Sequence, residues 1–97
     1  MTDIAMIQAA RDRISGHARY TPLLDSPFLN EIAGRRVLVK AECLQLTGSF
    51  KFRGAWSAIS ALDQEVRKKG VIAFSSGNHA QGVALAARMH GVPSVIV

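Results

Sequence analysis

A chain of 97 residues, 48% hydrophobic and 20% charged, makes at most one ordinary domain and is too apolar to be disordered. Twelve Lys and Arg against seven Asp and Glu leave a net charge of +5; that permits an anionic partner, but the cations are scattered rather than gathered into the stripe a nucleic-acid surface needs. The single cysteine, Cys43, excludes an intramolecular disulfide and a metal site built on cysteines.

Asp3, Arg11, Asp12 and Arg13 interrupt the first residues, so no signal-peptide core is present there. No apolar run approaches the ~18 residues of a membrane span, and the cytoplasm is the expected compartment. Thr2 or Asp3 is placed to cap a first helix, in which Ile4, Ile7, Ala10 and Ile14 keep helical spacing and which Gly16 stops. Thr21-Pro22-Leu23-Leu24 reads as extended, because a residue before proline avoids the helical region. Ser26-Pro27 reads as a cap followed by proline at the first helical position, with the short helix closing at Gly34. Val37-Leu38-Val39 is a short strand, with Lys40 and Glu42 beyond it.

After a loop from residue 43 to 48, Ser49 is the expected cap of a helix running to about residue 68. Its Phe52, Ala55, Trp56, Ile59, Leu62 and Val66 keep to one face. Arg67, Lys68 and Lys69 form the densest basic run and precede Gly70, where a helix end favours cations. Val71-Ile72-Ala73-Phe74 is a strand of the fully buried kind, followed by the tight loop Ser75-Ser76-Gly77-Asn78. A small-residue helix from His79 to residue 89 ends at Gly91, and residues 92 to 97 begin another strand. Residues 71 to 97 therefore make one βαβ unit, expected to have parallel strands and a right-handed crossover. The fold class is α/β, an open parallel sheet with flanking helices. The closing Val-Ile-Val meets no polar residue, so the chain is expected to be a fragment of a longer protein.

Two stretches carry chemistry. In "TGSFKFRGA", residues 47 to 55, Lys51 lies between Phe50 and Phe52 near a helix start. A lysine has an unperturbed pKa of about 10.4 and is not nucleophilic at neutral pH. The positive end of a helix and aromatic neighbours that exclude water both disfavour its charged form, the environment of a Schiff-base lysine. Gly48 and Gly54 allow a bulky ligand near the backbone. The alternative is an amphipathic helix with Lys51 reaching to solvent.

The second stretch, "SSGNHAQG", residues 75 to 82, follows a strand and opens a helix, where anions and ligands bind in open α/β sheets. Ser75, Ser76, Gly77, Asn78 and His79 would suit a carboxylate or phosphate there, or would form only an ordinary helix cap. Neither a dinucleotide fingerprint nor a P-loop is present. His17, His79 and His90 show no ligand spacing, and no metal is expected.

The two motifs in this order, with "TPLLDSPFLNEIAGRRVLVKAECLQ" before them, resemble the fold type II pyridoxal-phosphate enzymes, the tryptophan-synthase-β-like group. Within it the likeness is to the threonine/serine dehydratases and serine racemase, since His-Ala-Gln follows Asn78. The resemblance implies pyridoxal 5'-phosphate as cofactor, held covalently by Lys51, with Phe50 packed on its ring and Asn78 bonded to its 3'-oxygen. It implies that Ser75, Ser76, Gly77, Asn78 and His79 grip the substrate carboxylate, and that Lys51, once displaced, removes the α-proton. A small hydroxy amino acid, threonine or serine, would lose water and end as a 2-oxo acid and ammonia.

The family's enzymes are much longer and carry a glycine-rich phosphate loop that these 97 residues lack. Residues 1 to 68 would belong to the larger domain and residues 69 to 97 would begin the smaller. The fragment alone is expected to be inactive, and the full protein to be a homo-oligomer without nucleic-acid or membrane partners. Racemases of the family use the serine before Gly-Asn as a second acid/base, which is Ser76 here; its other reading is a helix cap or carboxylate ligand. Serine or aspartate racemase and hydroxyaspartate dehydratase are thus alternatives to the dehydratase, as is a non-catalytic α/β module that binds an anion.

Overall fold

A computed structural model describes all 97 residues. Helix α1 spans Ile4–Ile14, and Asp3 caps it by accepting the Met6 N–H at 2.8 Å. Strand β1 (Leu23–Asp25) leads into helix α2 (Pro27–Ala33), which Ser26 caps and which Gly34 closes in the left-handed conformation at φ 66°. Strand β2 (Leu38–Lys40) returns antiparallel to β1, with Leu23 opposite Lys40 and Asp25 opposite Leu38. This ribbon is absent from the sequence reading, because three-residue strands separated by a helix carry no hairpin signal.

Two single-turn 3₁₀ segments, Glu42–Leu44 and Leu46–Gly48, lead to helix α3 (Lys51–Ser60), and the short helix α4 (Gln64–Arg67) follows. The single helix expected from Ser49 to residue 68 is therefore two. Asp63 leaves the helical region (φ −55°, ψ 144°) and restarts the chain as the N-cap of α4, a position that aspartate prefers to a helix interior. Val66 consequently drops off the apolar stripe and is 47% exposed. Ser49 is not the cap residue of α3 either: Phe50 holds that position, although Ser49 Oγ accepts the Lys51 N–H at 3.3 Å.

Strands β3 (Val71–Ala73) and β4 (Ser94–Ile96) flank helix α5 (Asn78–Met89) and pair in parallel, Val71 beside Ser94 and Ala73 beside Ile96, as the βαβ reading expects. The expectation of a fully buried strand at 71 to 74 is corrected. Ile72 is 73% and Phe74 85% exposed, because α5 covers one face of this two-stranded sheet and no element covers the other.

The core lies between α3 and α5: Phe52, Ala55, Trp56 and Ile59 pack against Val83, Ala86 and Ala87. Packing thus crosses residue 68. Helix α1 docks on the same cluster through Trp56, whose Nε1 donates to the Arg13 carbonyl at 3.0 Å, and through Arg13 Nε, which donates to Ser57 Oγ at 3.0 Å. The Trp56 indole is stacked between His17 and His90, ring centroids 4.2 and 4.0 Å away. Buried Gln45 ties the N-terminal region to the lysine motif: its Oε1 accepts from the Arg19 and Leu46 N–H groups and its Nε2 donates to the Arg19 carbonyl. No helix of the chain is long and apolar enough to cross a membrane.

Candidate active site

Lys51 owes its position to an abrupt turn. Thr47 (φ 63°) and Gly48 (φ 76°) are consecutive left-handed residues, after which Ser49 is extended and α3 begins. A β-branched residue in that region is strained, and the Thr47 hydroxyl is buried without a hydrogen-bond partner. The two phenylalanines beside the lysine part ways. Phe52 is wholly buried and anchors α3, whereas Phe50 is 59% exposed and lies beneath the amine, with Lys51 Nζ 5.0 Å from its ring centroid.

Lys51 and Phe50 open onto a cleft of about 450 Å³, whose walls include Gly54, Ile72, His79 and Val83 as well. The wall opposite α3 comes from β3 and α5, and one residue controls how close α5 lies. A Cβ on Gly82 would stand 3.1 Å from both the Lys51 carbonyl carbon and the Phe52 nitrogen, so the helices meet backbone to backbone at the lysine. His79 lies one turn before Gly82 and is thereby brought to the cleft. Gly82 ends the motif at 75 to 82 but has no role in the sequence reading; a glycine inside a helical pattern is the available signal for a close approach.

Of the motif at 75 to 82, His79 reaches the cleft, whereas Ser75, Ser76, Gly77 and Asn78 form the turn into α5 and are not among its walls. Ser75 Oγ accepts the Gly77 N–H at 3.3 Å. Gly77 is the N-cap residue, Asn78 is the first helical one, and no side chain caps α5. Its first turn also holds no acidic residue, so its leading N–H groups have no side-chain partner, and the Ser76 hydroxyl and Asn78 carboxamide beside them are exposed. Gly77 has φ −128° and a Cβ there would meet nothing within 4 Å, so the protein's own packing does not require a glycine.

Beside Lys51, on the other side of α3, stands a charged cluster that the sequence reading leaves unassigned. Arg53 forms a two-pronged ion pair with Glu42, its Nε meeting Oε1 and its Nη2 donating to Oε2 at 3.1 Å. Thr21 Oγ1 donates to the same carboxylate at 2.6 Å. The Arg53 guanidinium, helped by Thr21 and Lys40, lowers the Glu42 pKa to about 2 against the opposing effect of burial. On the far side of the core, burial is the main cause that lowers the pKa of His90, with nearby Arg67 and His17 adding to it.

A lysine amine over a flat aromatic face, in a roomy cleft with an unhindered glycine at 54, fits a planar aldehyde cofactor. The comparisons with known proteins agree. Residues 14–97 match the family model of the pyridoxal-phosphate dependent enzymes. The chain is 50% identical over 95 residues to a serine racemase of Arabidopsis thaliana, covering 98% of this chain and 29% of that protein. It is 54% identical over 88 residues to an L-threo-3-hydroxyaspartate ammonia-lyase of a Pseudomonas species, covering 91% and 28%. The solved structure of the T.th. threonine deaminase superposes with a TM-score of 0.84 at 49% identity, over 97% of this chain and 33% of the other.

The chain belongs to the pyridoxal-phosphate dependent enzymes. Its architecture is a portion of the fold type II structure, and it spans about three-tenths of the length of the curated relatives named.

Proposed function

We propose that this chain carries the lysine side of the active site of a threonine/serine ammonia-lyase that depends on pyridoxal phosphate. We propose also that residues 1–68 belong to its larger domain and residues 69–97 begin its smaller one. The observation that carries the reading is the shared cleft of Lys51, Phe50 and His79, formed where α3 and α5 meet at Gly82. Lys51 Nζ would hold the cofactor, and Phe50 would cover one side of its ring. Asn78 would donate to the cofactor's 3'-oxygen. The uncapped N–H groups at the start of α5, with Ser75, Ser76 and His79 around them, would hold the substrate α-carboxylate; a Gly77 that packing does not require is consistent with a ligand lying against that backbone.

When bound, pyridoxal phosphate supplies an electron sink for negative charge at the substrate α-carbon. Lys51 Nζ, once freed by the incoming amine, would accept the α-proton from its own side. Water is then lost across the α and β carbons of a hydroxy amino acid, and hydrolysis of the enamine leaves a 2-oxo acid and ammonia. In the full-length protein, borohydride reduction followed by peptide mapping should label the peptide containing Lys51, and Lys51→Ala should abolish ammonia release from threonine or serine. A label on Lys40 or Lys68 would overturn the assignment.

A second reading, a racemase of the same family, is favoured by one observation. The Ser76 hydroxyl does not cap α5 and is exposed, which leaves it available as the acid/base on the side opposite Lys51.

A further inference from the structure

We propose that Glu42 and Arg53 are positioning residues, whose ion pair sets the rotation of α3 about its own axis and so the direction in which Lys51 leaves the helix. The proposal rests on the reading of Lys51 as the residue that holds the cofactor. Lys51 and Arg53 are two positions apart in α3, about 200° around a helix of 3.6 residues per turn. Whatever fixes Arg53 therefore fixes the back of the helix relative to the face that carries the amine.

The clamp on Arg53 is well built. Its guanidinium meets Glu42 through two nitrogens, and Nη2 also lies 3.4 Å from the Arg19 carbonyl and from Thr21 Oγ1. A planar fork gripping a carboxylate restricts rotation far more than a single contact does. The anchor itself does not move freely: Thr21 is buried, it donates to Glu42 at 2.6 Å, and its carbonyl accepts from Lys40 Nζ at 3.0 Å at the end of β2. Both ion-pair partners are mostly shielded, with side chains 26% and 17% exposed, unlike the open Arg36–Asp25 pair at 71% and 41%.

The helix also needs this partner for an electrostatic reason. The first turn of α3 holds Lys51 and Arg53 and no acidic residue; its N-cap residue Phe50 makes no capping hydrogen bond, and the neutral Ser49 hydroxyl takes only the Lys51 N–H. Two cations at the positive end of a helix oppose its dipole. Glu42 supplies, from the first 3₁₀ segment, the negative charge that α3 lacks. Gly82 lies close against the Lys51 backbone on the α5 side, so the first turn is held from two directions.

The test uses the full-length protein stripped of cofactor. Lys51→Ala comes first: cofactor that borohydride still fixes covalently to this variant overturns the reading of Lys51, independently of the ion pair. The positioning role is then read in Glu42→Ala, Glu42→Gln, Arg53→Ala and Arg53→Lys, by the rate at which added pyridoxal phosphate attaches to Lys51 and by the wavelength and pH midpoint of the resulting band. The alanine variants should attach the cofactor about tenfold to a hundredfold more slowly, with a displaced midpoint. Glu42→Gln, which keeps the carboxylate's shape, should recover part of the rate, and Arg53→Lys, which loses the fork, should recover less. Asp25→Asn serves as the comparison, a broken ion pair remote from α3. Should the alanine variants fail to fold, the Gln and Lys variants decide. Parental rate, band and midpoint in those folded variants, whatever their melting temperature, would overturn the proposal.

Discussion

Phe50 and Phe52 flank one lysine and do unlike things: the first floors a cleft, the second is sealed in the core. Phe52→Ala should cost about 3–5 kcal/mol, enough to unfold a marginal protein, while Phe50→Ala should leave stability nearly unchanged and weaken cofactor binding. Thermal melts with and without pyridoxal phosphate separate the two effects. Ser76 divides the two proposed activities. A serine hydroxyl is a weak base that needs help from its surroundings. If it serves the face opposite Lys51, Ser76→Ala should remove racemisation and D-substrate reactions while sparing elimination from L-serine. Equal loss of both would make Ser76 a carboxylate ligand, and absence of D-activity in the parent would leave a plain dehydratase.

Two titratable residues both make acid unfavourable, over different ranges. Glu42 has its pKa depressed to about 2 from 4.5, so its contribution is present above the unfolded value and is lost as pH falls from about 4.5 toward 2. His90 has its pKa lowered from 6.5 because burial penalises its charged form. Below pH 6.5 the unfolded chain therefore binds this proton first, and stability falls as pH falls. Denaturant midpoints from pH 5 to 7.5 should decline on the acid side, and His90→Gln should flatten that decline; an unchanged slope would show that His90 does not cause it.

At the scale of elements, the meeting of α3 and α5 decides the site, and two glycines test it in opposite directions. Replacing a helical glycine by alanine gains about 1 kcal/mol in helix propensity. At Gly54 a Cβ meets nothing within 4 Å, so Gly54→Ala should raise the melting temperature while placing a methyl in the cleft wall and weakening cofactor binding. At Gly82 the Cβ would stand 3.1 Å from backbone atoms of Lys51 and Phe52, and such overpacking costs about 1–3 kcal/mol. Because backbone atoms, which cannot swing aside as a side chain can, must give way, the loss falls in the upper part of that range and above the gain, so Gly82→Ala should destabilise the protein. A rise in melting temperature for Gly82→Ala would mean that the helices separate without cost.

The whole molecule is extended and thinly packed. Its radius of gyration is 16.0 Å, against about 13 Å for a compact domain of this length. Only 13 of its 97 residues are buried, and Phe28, Ile32, Ile72 and Phe74 lie open to solvent. Such a chain buries too little apolar surface to offset its conformational entropy by a wide margin. Purified by itself, it should unfold with a shallow denaturant slope, bind hydrophobic dyes and release no ammonia from threonine or serine. A cooperative transition with the slope of a compact domain, or measurable turnover, would contradict this.

Local chemistry is sufficient for much of this protein. The Asp3 and Ser26 caps, the stop at Gly34 and the lysine between two phenylalanines are written in residue types that act on their immediate neighbours, and the parallel βαβ unit follows from the order of its elements. Where sequence and structure differ, a distant residue or a missing neighbour decides. The break at Asp63 sets a turn preference against a continuing apolar stripe, and the exposure of Ile72 depends on which elements cover the sheet. The pairing of β1 with β2, the approach of Gly82 to Lys51 and the grip of Glu42 on Arg53 join residues whose separation in sequence carries no periodic signal. A helix cap is a contact between near neighbours and can be read from a string. The direction in which Lys51 leaves its helix is set by everything that helix leans on, and that exists only once the chain has folded.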